Sequence, residues 1–450
     1  MTSNFLLKFE KEVQNSCQIN SDLFEKYDVK RGLRNKDGTG VLVGLTNIGD
    51  VVGYRKENDK VVAIPGRLLY RGIDIGDLIA GFQKEKRHGF DETIFLLLSG
   101  RLPNKDELSE FSALMASLRA LPDSFTKDMI LSMKGKDILN ILSRTTLGLY
   151  TLDKKPDDIS LSNMLAQSIN ILAKFPTIVA YSYQALRHLY KGETLSIRHP
   201  KKKNTTAENF LYLLQGSSSK DSQLEADLLD LLLILHAEHG GGNNSTFAMR
   251  VISSTETDIY SSITAAIGSL KGPLHGGANI KVLEMMENIK ANVKDWADEN
   301  EVEQYLLKIL KKEANDFSGK IYGIGHAVYT ISDPRAIILK KKAKELALEK
   351  GRIKEFELYE SIERITPEVL RVFKGEKFTK VVCINVDFYS GFVYDCLGIN
   401  QELYTPIFAV ARAAGWCIHR IEELISAKRI IRPAFKNVAG IQAYIPLAER

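Results

Sequence analysis

The stretch from Glu225 to Gly242, EADLLDLLLILHAEHGGG, limits the fold more than any other. It is apolar nearly all round and includes an unbroken run from Leu231 to Leu235. A helix of that kind has no face to offer water, so it belongs inside a large core. With 450 residues, 44% of them hydrophobic, the chain can build such a core and divide into two or three domains. The helix carries His236 and His239 at its C-terminal end and stops at Gly240-Gly241-Gly242. Helical periodicity dominates elsewhere. One region departs from it: from Gly40 to Arg71 the chain is rich in valine and glycine, and KENDK marks a turn between two short apolar runs, which predicts small β-hairpins.

Residues 255–289 predict a helix-loop-helix corner. Thr255 with Asp258 three residues on reads as a capping box, and Ile259, Ile263, Ala266, Ile267 and Leu270 follow at helical spacing. Ser261, Ser262, Ala265 and Gly268 are small enough to let another helix approach closely. Lys271, Gly272 and Pro273 supply a C-terminal charge, a left-handed cap and a stop. The next helix starts near Ala278, with Leu283, Met286 and Ile289 on one face. His275 therefore lies just before a helix N-terminus, in the string GPLHGGAN. Positive charge at a helix start disfavours protonation, so a neutral imidazole there could donate a hydrogen bond to a developing oxyanion. The flanking glycines would let a ligand reach the backbone. A glycine-rich corner that merely contains a histidine is the plainer alternative.

The device recurs in IYGIGHAVYTISDPRAIIL, residues 321–339, with Gly323, Gly325 and His326, and with Arg335 after a turn set by Asp333-Pro334. As a dinucleotide fingerprint it fails, because Val328 stands where a third glycine is needed. A second exposed imidazole near a guanidinium suits carboxylate or phosphate binding better. In VVCINVDFYSGFVYDCLGI, residues 381–399, Asp387 follows an apolar stretch and sits among aromatics. A poorly solvated carboxylate there could act as a base near neutral pH; an exposed helix cap is the alternative. Arg412 and Arg432 complete the notable residues near the C-terminus.

Charge and cysteine usage narrow the class. Lys and Arg number 61 against 56 Asp and Glu, an excess too slight for a nucleic-acid partner though compatible with a small polyanion. The basic run 198–203 reads as a solvated loop, with phosphate binding as the lesser alternative. Cys17, Cys383, Cys396 and Cys417 show neither metal spacing nor disulfide density, which points to a reducing cytoplasm. No apolar stretch is long enough to predict a membrane span, and the N-terminus resembles neither a secretory signal nor a transit peptide.

In this order the strings RLLYRGIDI, AENFLYLL, LHAEHGGGNNST, GPLHGGAN, GIGHAVYTISDPRA, VDFYSGFVYDCLGI, FAVARAAGW and RPAFKNVAG resemble citrate synthase over most of the chain. The resemblance implies a mostly α-helical, two-domain homodimer with small β-hairpins near the N-terminus. A small domain of about residues 280–387 would interrupt a large one made of 1–279 and 388–450. Asp387 would take a proton from the methyl group of acetyl-CoA while neutral His275 hydrogen-bonds the thioester oxygen. His326 would polarise the ketone of oxaloacetate. His239, Arg335, Arg412 and Arg432 would hold carboxylates, with Arg432 reaching in from the partner subunit. Gly323, Ile324 and Gly325 resemble the family's loop around the adenine of CoA. No cofactor would be bound permanently, acetyl-CoA serving as co-substrate, and no nucleic acid or membrane is implied. Gly240 stands where many members carry an acidic or amide residue, which implies a more mobile loop after His239.

Rival readings remain at this point. A 2-methylcitrate synthase would use the same catalytic residues with propionyl-CoA, since one extra methyl group is worth only about 1–3 kcal/mol of discrimination. The citrate-cleaving part of ATP citrate lyase shares related motifs but needs a ligase portion with a phosphate-binding segment that this sequence lacks. His236 and His239, paired on a helix with His275 or His326, could instead form a zinc site in a metal-dependent hydrolase, though HExxH is absent. A catalytically silent dimeric binding protein would be expected to have lost His275, His326 or Asp387, and all three are present.

Overall fold

The computed structural model describes residues 4–58, 60–216, 222–375 and 381–450. Helices α1 (Asn4–Cys17) and α2 (Asp22–Lys26) come first and bury none of their side chains. Strands β1 (Gly49–Glu57) and β2 (Lys60–Tyr70) then form the expected antiparallel hairpin, with Gly49 opposite Tyr70 and Glu57 opposite Lys60. β3 (Ile73–Asp74) joins β2 to complete a three-stranded sheet. Strand begins nine residues later than the valine and glycine content predicts: Leu42 and Leu45 are exposed, 84% and 86%, so nothing covers an apolar face there. In β2, Leu68 and Tyr70 point to the same side, as alternate residues must, and both are fully buried.

Helices make up the remaining framework. The Asp74 side chain caps α3 (Ile75–Lys84) by accepting Gly76 N–H, and α4 (Phe90–Ser99) follows. A capping box of Asn104 and Glu107 opens α5 (Lys105–Leu118), which leads through α6 (Asp123–Thr126) to α7 (Ile138–Leu149). α8 (Leu161–Lys191) runs for 31 residues and is buried without a break from Ile171 to Leu186. Thr205 and Glu208 form another capping box at α9 (Thr206–Gln215). α10 (Ser222–His236) is the apolar helix, and Leu231 to Leu235 are at most 5% exposed, as its composition requires. It ends at His236, so His239 lies beyond the helix and the two histidines do not share a helical face.

The predicted corner is formed by α12 (Ile259–Lys271) and α13 (Ala278–Asn292), with α11 (Asn244–Ser253) packed against α12. Two of its caps differ from expectation. Asp258, not Thr255, caps α12 by accepting Ser261 N–H at 2.8 Å, while the Thr255 hydroxyl turns back to Ile252 O. Gly272 has φ −60° and ψ 135°, an extended rather than left-handed exit. α14 (Glu299–Leu310), α15 (Pro334–Glu349), α16 (Ile353–Lys374) and α17 (Asp387–Cys396) follow; α17 packs on α13 and α15, and α16 on α14 and α15. α18 (Tyr404–Glu422) is buried along almost its whole length and touches α4, α8, α10, α11 and α12. The chain then leaves as an extended tail with Phe435, Ile441 and Leu447 exposed. No described helix is long and apolar enough to cross a membrane. The basic run is a loop as expected, with Lys201 to Lys203 exposed, though Arg119 and Asn209 hold its main chain at Lys201.

Candidate active site

His275 sits in the tight turn between α12 and α13. Its own N–H donates to Gly272 O at 2.9 Å, and Gly276 lies so close to α12 that a Cβ there would stand 2.3 Å from Leu270 O. That glycine is required by the chain's own packing, which differs from the ligand-access role the sequence suggested. Thr405 of α18 clamps the turn by donating to Gly276 O at 2.8 Å. The imidazole Nε2 is 3.1 Å from Ser245 Oγ, which also accepts the Trp416 indole N–H at 3.1 Å and donates its own proton to Asn243 Oδ1 at 3.0 Å. Burial first, then the positive charge of Arg412, pushes His275 down to about 4, so the ring is neutral at pH 7.

The segments carrying His326 and Asp387 are paired through their main chains. Ile324 and Ile384 form an antiparallel bridge, Gly325 N–H donates to Cys383 O at 2.7 Å, and Asn385 N–H donates to Gly323 O at 2.9 Å. The Asn385 side chain donates to Gly325 O at 3.0 Å and accepts Asp387 N–H at 3.0 Å. Gly323 and Gly325 hold φ of 77° and 94°, a left-handed backbone that favours glycine. A Cβ on Gly323 would also strike Phe388 and Val282, whereas Gly325 faces open space. His326 Nδ1 accepts the main-chain N–H of both Val328 and Tyr329 at 3.0 Å. The ring proton of the neutral form must then sit on Nε2. His326 is held down to about 4 by burial and by Arg335.

Arg335 occupies the first turn of α15. Its N–H and Nε both donate to Asp333 Oδ1 at 3.0 Å, and Nη2 donates to Asp333 Oδ2 at 2.7 Å. Asp333 is the N-cap of α15 and is fully enclosed. Asp387 begins α17, and burial pushes its carboxyl up to about 6 against the opposing pull of Arg335. A carboxylate poised near neutrality beside two buried guanidinium groups can both accept and return a proton.

The turn after α10 and one face of α18 complete the cluster. The His239 ring meets His326 edge-on with centroids 5.1 Å apart, and burial with Arg335 keeps it well below its ordinary range. Its Nε2 is buried with no hydrogen-bond partner, as is Arg412 Nη1. Arg412 donates Nε to His236 O at 2.7 Å and lies over the Phe408 ring, whose other neighbours include His236 and His275. A fully buried guanidinium without its own carboxylate is costly, and a substrate carboxylate would offset that cost. His236 donates Nδ1–H to Leu232 O at 2.9 Å, as suits a neutral ring that burial pushes down to about 3. Among the described residues no group of three or more His, Cys, Asp and Glu could hold a metal ion.

The structure therefore gathers His239, His275, His326, Arg335, Asp387 and Arg412 around one centre. Arg432 is exposed in the C-terminal tail, and a single chain does not bring it there. Sequence reasoning missed Ser245, Trp416, Phe408 and the buried Asp333. Asp333 had a signal in its place before proline at a helix start, which was read only as a turn.

Residues 36–434 match the citrate synthase C-terminal domain family. The chain belongs to the citrate synthase family. It is 38% identical over 394 residues to citrate synthase 2 of Bacillus subtilis, covering 86% of this chain and 94% of that one. A 2-methylcitrate synthase of Shewanella oneidensis is 33% identical over 384 residues, covering 85% and 92%. Citrate synthase from the archaeon Thermoplasma acidophilum, solved as a ternary complex with carboxymethyl coenzyme A and oxaloacetate, superposes with a TM-score of 0.74 at 26% identity, covering 94% of this chain and 99% of that one. These likenesses bear out the helical citrate synthase fold and the acyltransferase class expected from the motifs.

Proposed function

We propose that this member of the citrate synthase family condenses acetyl-CoA with oxaloacetate and water to give citrate and CoA. One observation carries the reading: neutral imidazoles, a carboxyl with a pKa of about 6 and a buried guanidinium with a free Nη1 share one centre. Asp387 takes a proton from the acetyl methyl group. His275 donates Nδ1–H to the thioester oxygen as it gains enolate character. That tautomer requires the Asn243 amide, whose Oδ1 accepts the Ser245 proton in the structure, to flip and donate to Ser245 instead, which frees the hydroxyl to donate to His275 Nε2. His326 donates Nε2–H to the ketone oxygen of oxaloacetate, and the enol carbon attacks the polarised carbonyl carbon. Water then cleaves the thioester of citryl-CoA, releasing citrate and CoA. Preorganised donors of this kind act on charge as it develops, with no reorganisation at the moment of reaction.

His239, Arg335 and Arg412 hold the oxaloacetate carboxylates, and Arg432 of a second subunit completes the set. Two features support a homodimer. The small-residue stripe of Ser261, Ala265 and Gly268 is left incompletely covered in one chain, and Phe435, at 96% exposure, and Leu447, at 78%, project from the tail. Residues 280–387 form the smaller domain, which closes over the substrates, and the main chain at Gly323, Ile324 and Gly325 meets the adenine of CoA. Four free thiols suit the cytoplasm.

The test is release of free CoA thiol on mixing the protein with oxaloacetate and either acetyl-CoA or propionyl-CoA. Faster release with acetyl-CoA supports the proposal, and faster release with propionyl-CoA moves the assignment to 2-methylcitrate. Release that does not depend on oxaloacetate overturns both.

A further inference from the structure

We infer that Glu238, His419 and Arg250 form a buried positioning chain that sets the geometry of His239 and Arg412 for oxaloacetate. The inference rests on the function proposed above and adds three residues that neither the motifs nor the reaction assigned.

One face of α18 holds three successive residues of the turn that leads to His239. Arg412 Nε donates to His236 O at 2.7 Å, Gly415 N–H donates to Ala237 O at 3.1 Å, and His419 Nε2 meets Glu238 Oε1 at 2.8 Å. The spacings of three and four residues keep these groups in line along one side of the helix. From the opposite side the Tyr70 hydroxyl contacts Ile234 O at 2.9 Å and Glu238 O at 3.2 Å. Glu238 Oε1 also accepts Gly240 N–H, which closes the turn on itself.

The slot around Glu238 leaves no slack. Its side chain is 0% exposed, and a Cβ on Gly415 would stand 2.2 Å from its Oε2, while one on Gly49 would stand 2.8 Å from its Cγ. Beyond it, Arg250 Nη2 donates to His419 Nδ1 at 2.6 Å. With Nδ1 accepting, the His419 proton lies on Nε2 and points at Glu238. Arg250 in turn binds Glu423 through Nη1 at 2.6 Å and Glu422 through Nη2, and Glu422 Oε1 accepts Asn47 N–H at 2.8 Å. The chain thus runs from the His239 turn to the end of α18, where the tail bearing Arg432 departs.

Burying so many charged groups stabilises a fold less than apolar packing would. Its value lies in the directions it fixes, for His239 Nε2 and Arg412 Nη1 are both buried without a hydrogen-bond partner and so can receive a ligand.

The experiment compares His419→Leu, Glu238→Gln and His419→Gln with the parent chain, measuring the KM for oxaloacetate, the KM for acetyl-CoA, and oxaloacetate binding by calorimetry. Both His419→Leu and Glu238→Gln should raise the oxaloacetate KM about ten-fold or more while the acetyl-CoA KM stays within about two-fold. His419→Gln, which can still donate to Glu238, should recover part of the loss. Folded variants whose oxaloacetate KM stays within about two-fold of the parent, or in which both KM values rise equally, overturn the positioning chain. If His419→Leu does not fold, Glu238→Gln decides, since it keeps the shape and removes only the charge that orients the His419 proton. A parent chain without oxaloacetate-dependent thiol release defeats the proposed function itself, and an active parent with unaffected variants defeats only this inference.

Discussion

Asp333 binds Arg335 through the main-chain N–H, Nε and Nη2, and the same carboxylate accepts Val386 N–H at 3.2 Å, one residue before Asp387. One buried side chain therefore ties the proposed substrate arginine to the start of the helix that carries the proposed base. The two groups keep a fixed relation even though 51 positions of sequence separate Arg335 from Val386.

Asp387→Asn should lower kcat by about 10²–10⁴, the range for loss of a positioned base. Calorimetric affinity for oxaloacetate should change by less than about three-fold, because the arginines and His239 remain. Unimpaired turnover would remove Asp387 from the reaction.

The acid limb of the kcat/KM profile belongs to the same residue. Asp387 titrates at about 6, whereas His275 and His326 stay neutral down to about 4. Activity should fall as pH drops through about 6, with a single midpoint above pH 5. Two midpoints in that range would mean that a histidine also gains its proton there.

Stability should respond in a defined direction. The folded Asp387 carboxyl, raised from 3.8 to about 6, keeps a proton that the unfolded chain has already lost. Its stabilising contribution is present below pH 4 and is lost as pH rises through 6. Asp387→Asn should therefore stabilise the protein at pH 7.5 by up to about 3 kcal/mol, the gain shrinking toward pH 4.5. Urea unfolding at both pH values checks this, and an equal difference at the two would contradict it.

If Arg432 acts on the neighbouring subunit, Asp387→Asn and Arg432→Ala proteins should each be nearly inactive alone. Subunit exchange between them should restore about a quarter of parental activity, since about half of the dimers are mixed and each mixed dimer has one complete site. Failure to complement, with mixed dimers verified by native mass spectrometry, would place Arg432 outside the partner's site.

Gly415→Ala should cost about 1–3 kcal/mol through overpacking, because the added methyl meets Glu238 Oε2 and Ala237 O. Gly268→Ala, inside α12 at a position where a Cβ meets nothing within 4 Å of one chain, should stabilise a single subunit by about 0.5–1 kcal/mol through helix propensity. Thermal unfolding of the two variants separates the cases.

Much of this arrangement could be read from residues 225–242 and 255–339. The apolar run Leu231–Leu235 announced a buried helix, and the glycines beside His275 and His326 announced tight turns that present imidazoles. The importance of α18 was less visible. Its sequence mixes arginines, a histidine and small residues, and only the surrounding helices turn that pattern into a buried one. Caps were misplaced where two candidates compete within three residues, as with Thr255 and Asp258, because the choice depends on where α11 ends. Ser245 and Glu238 went unnoticed as site residues because each acts through a partner distant in sequence. No local spacing encodes such a pairing.

The amide groups that fix the His326 proton belong to the main chain at Val328 and Tyr329. Nineteen of the twenty amino acids supply the same donor, and proline alone would remove it. The proposed electrophile is thereby insulated from mutational drift in its own loop. Side chains around it can be exchanged, in evolution or by design, to reshape what the pocket admits while the polarity of the His326 imidazole is left as it is.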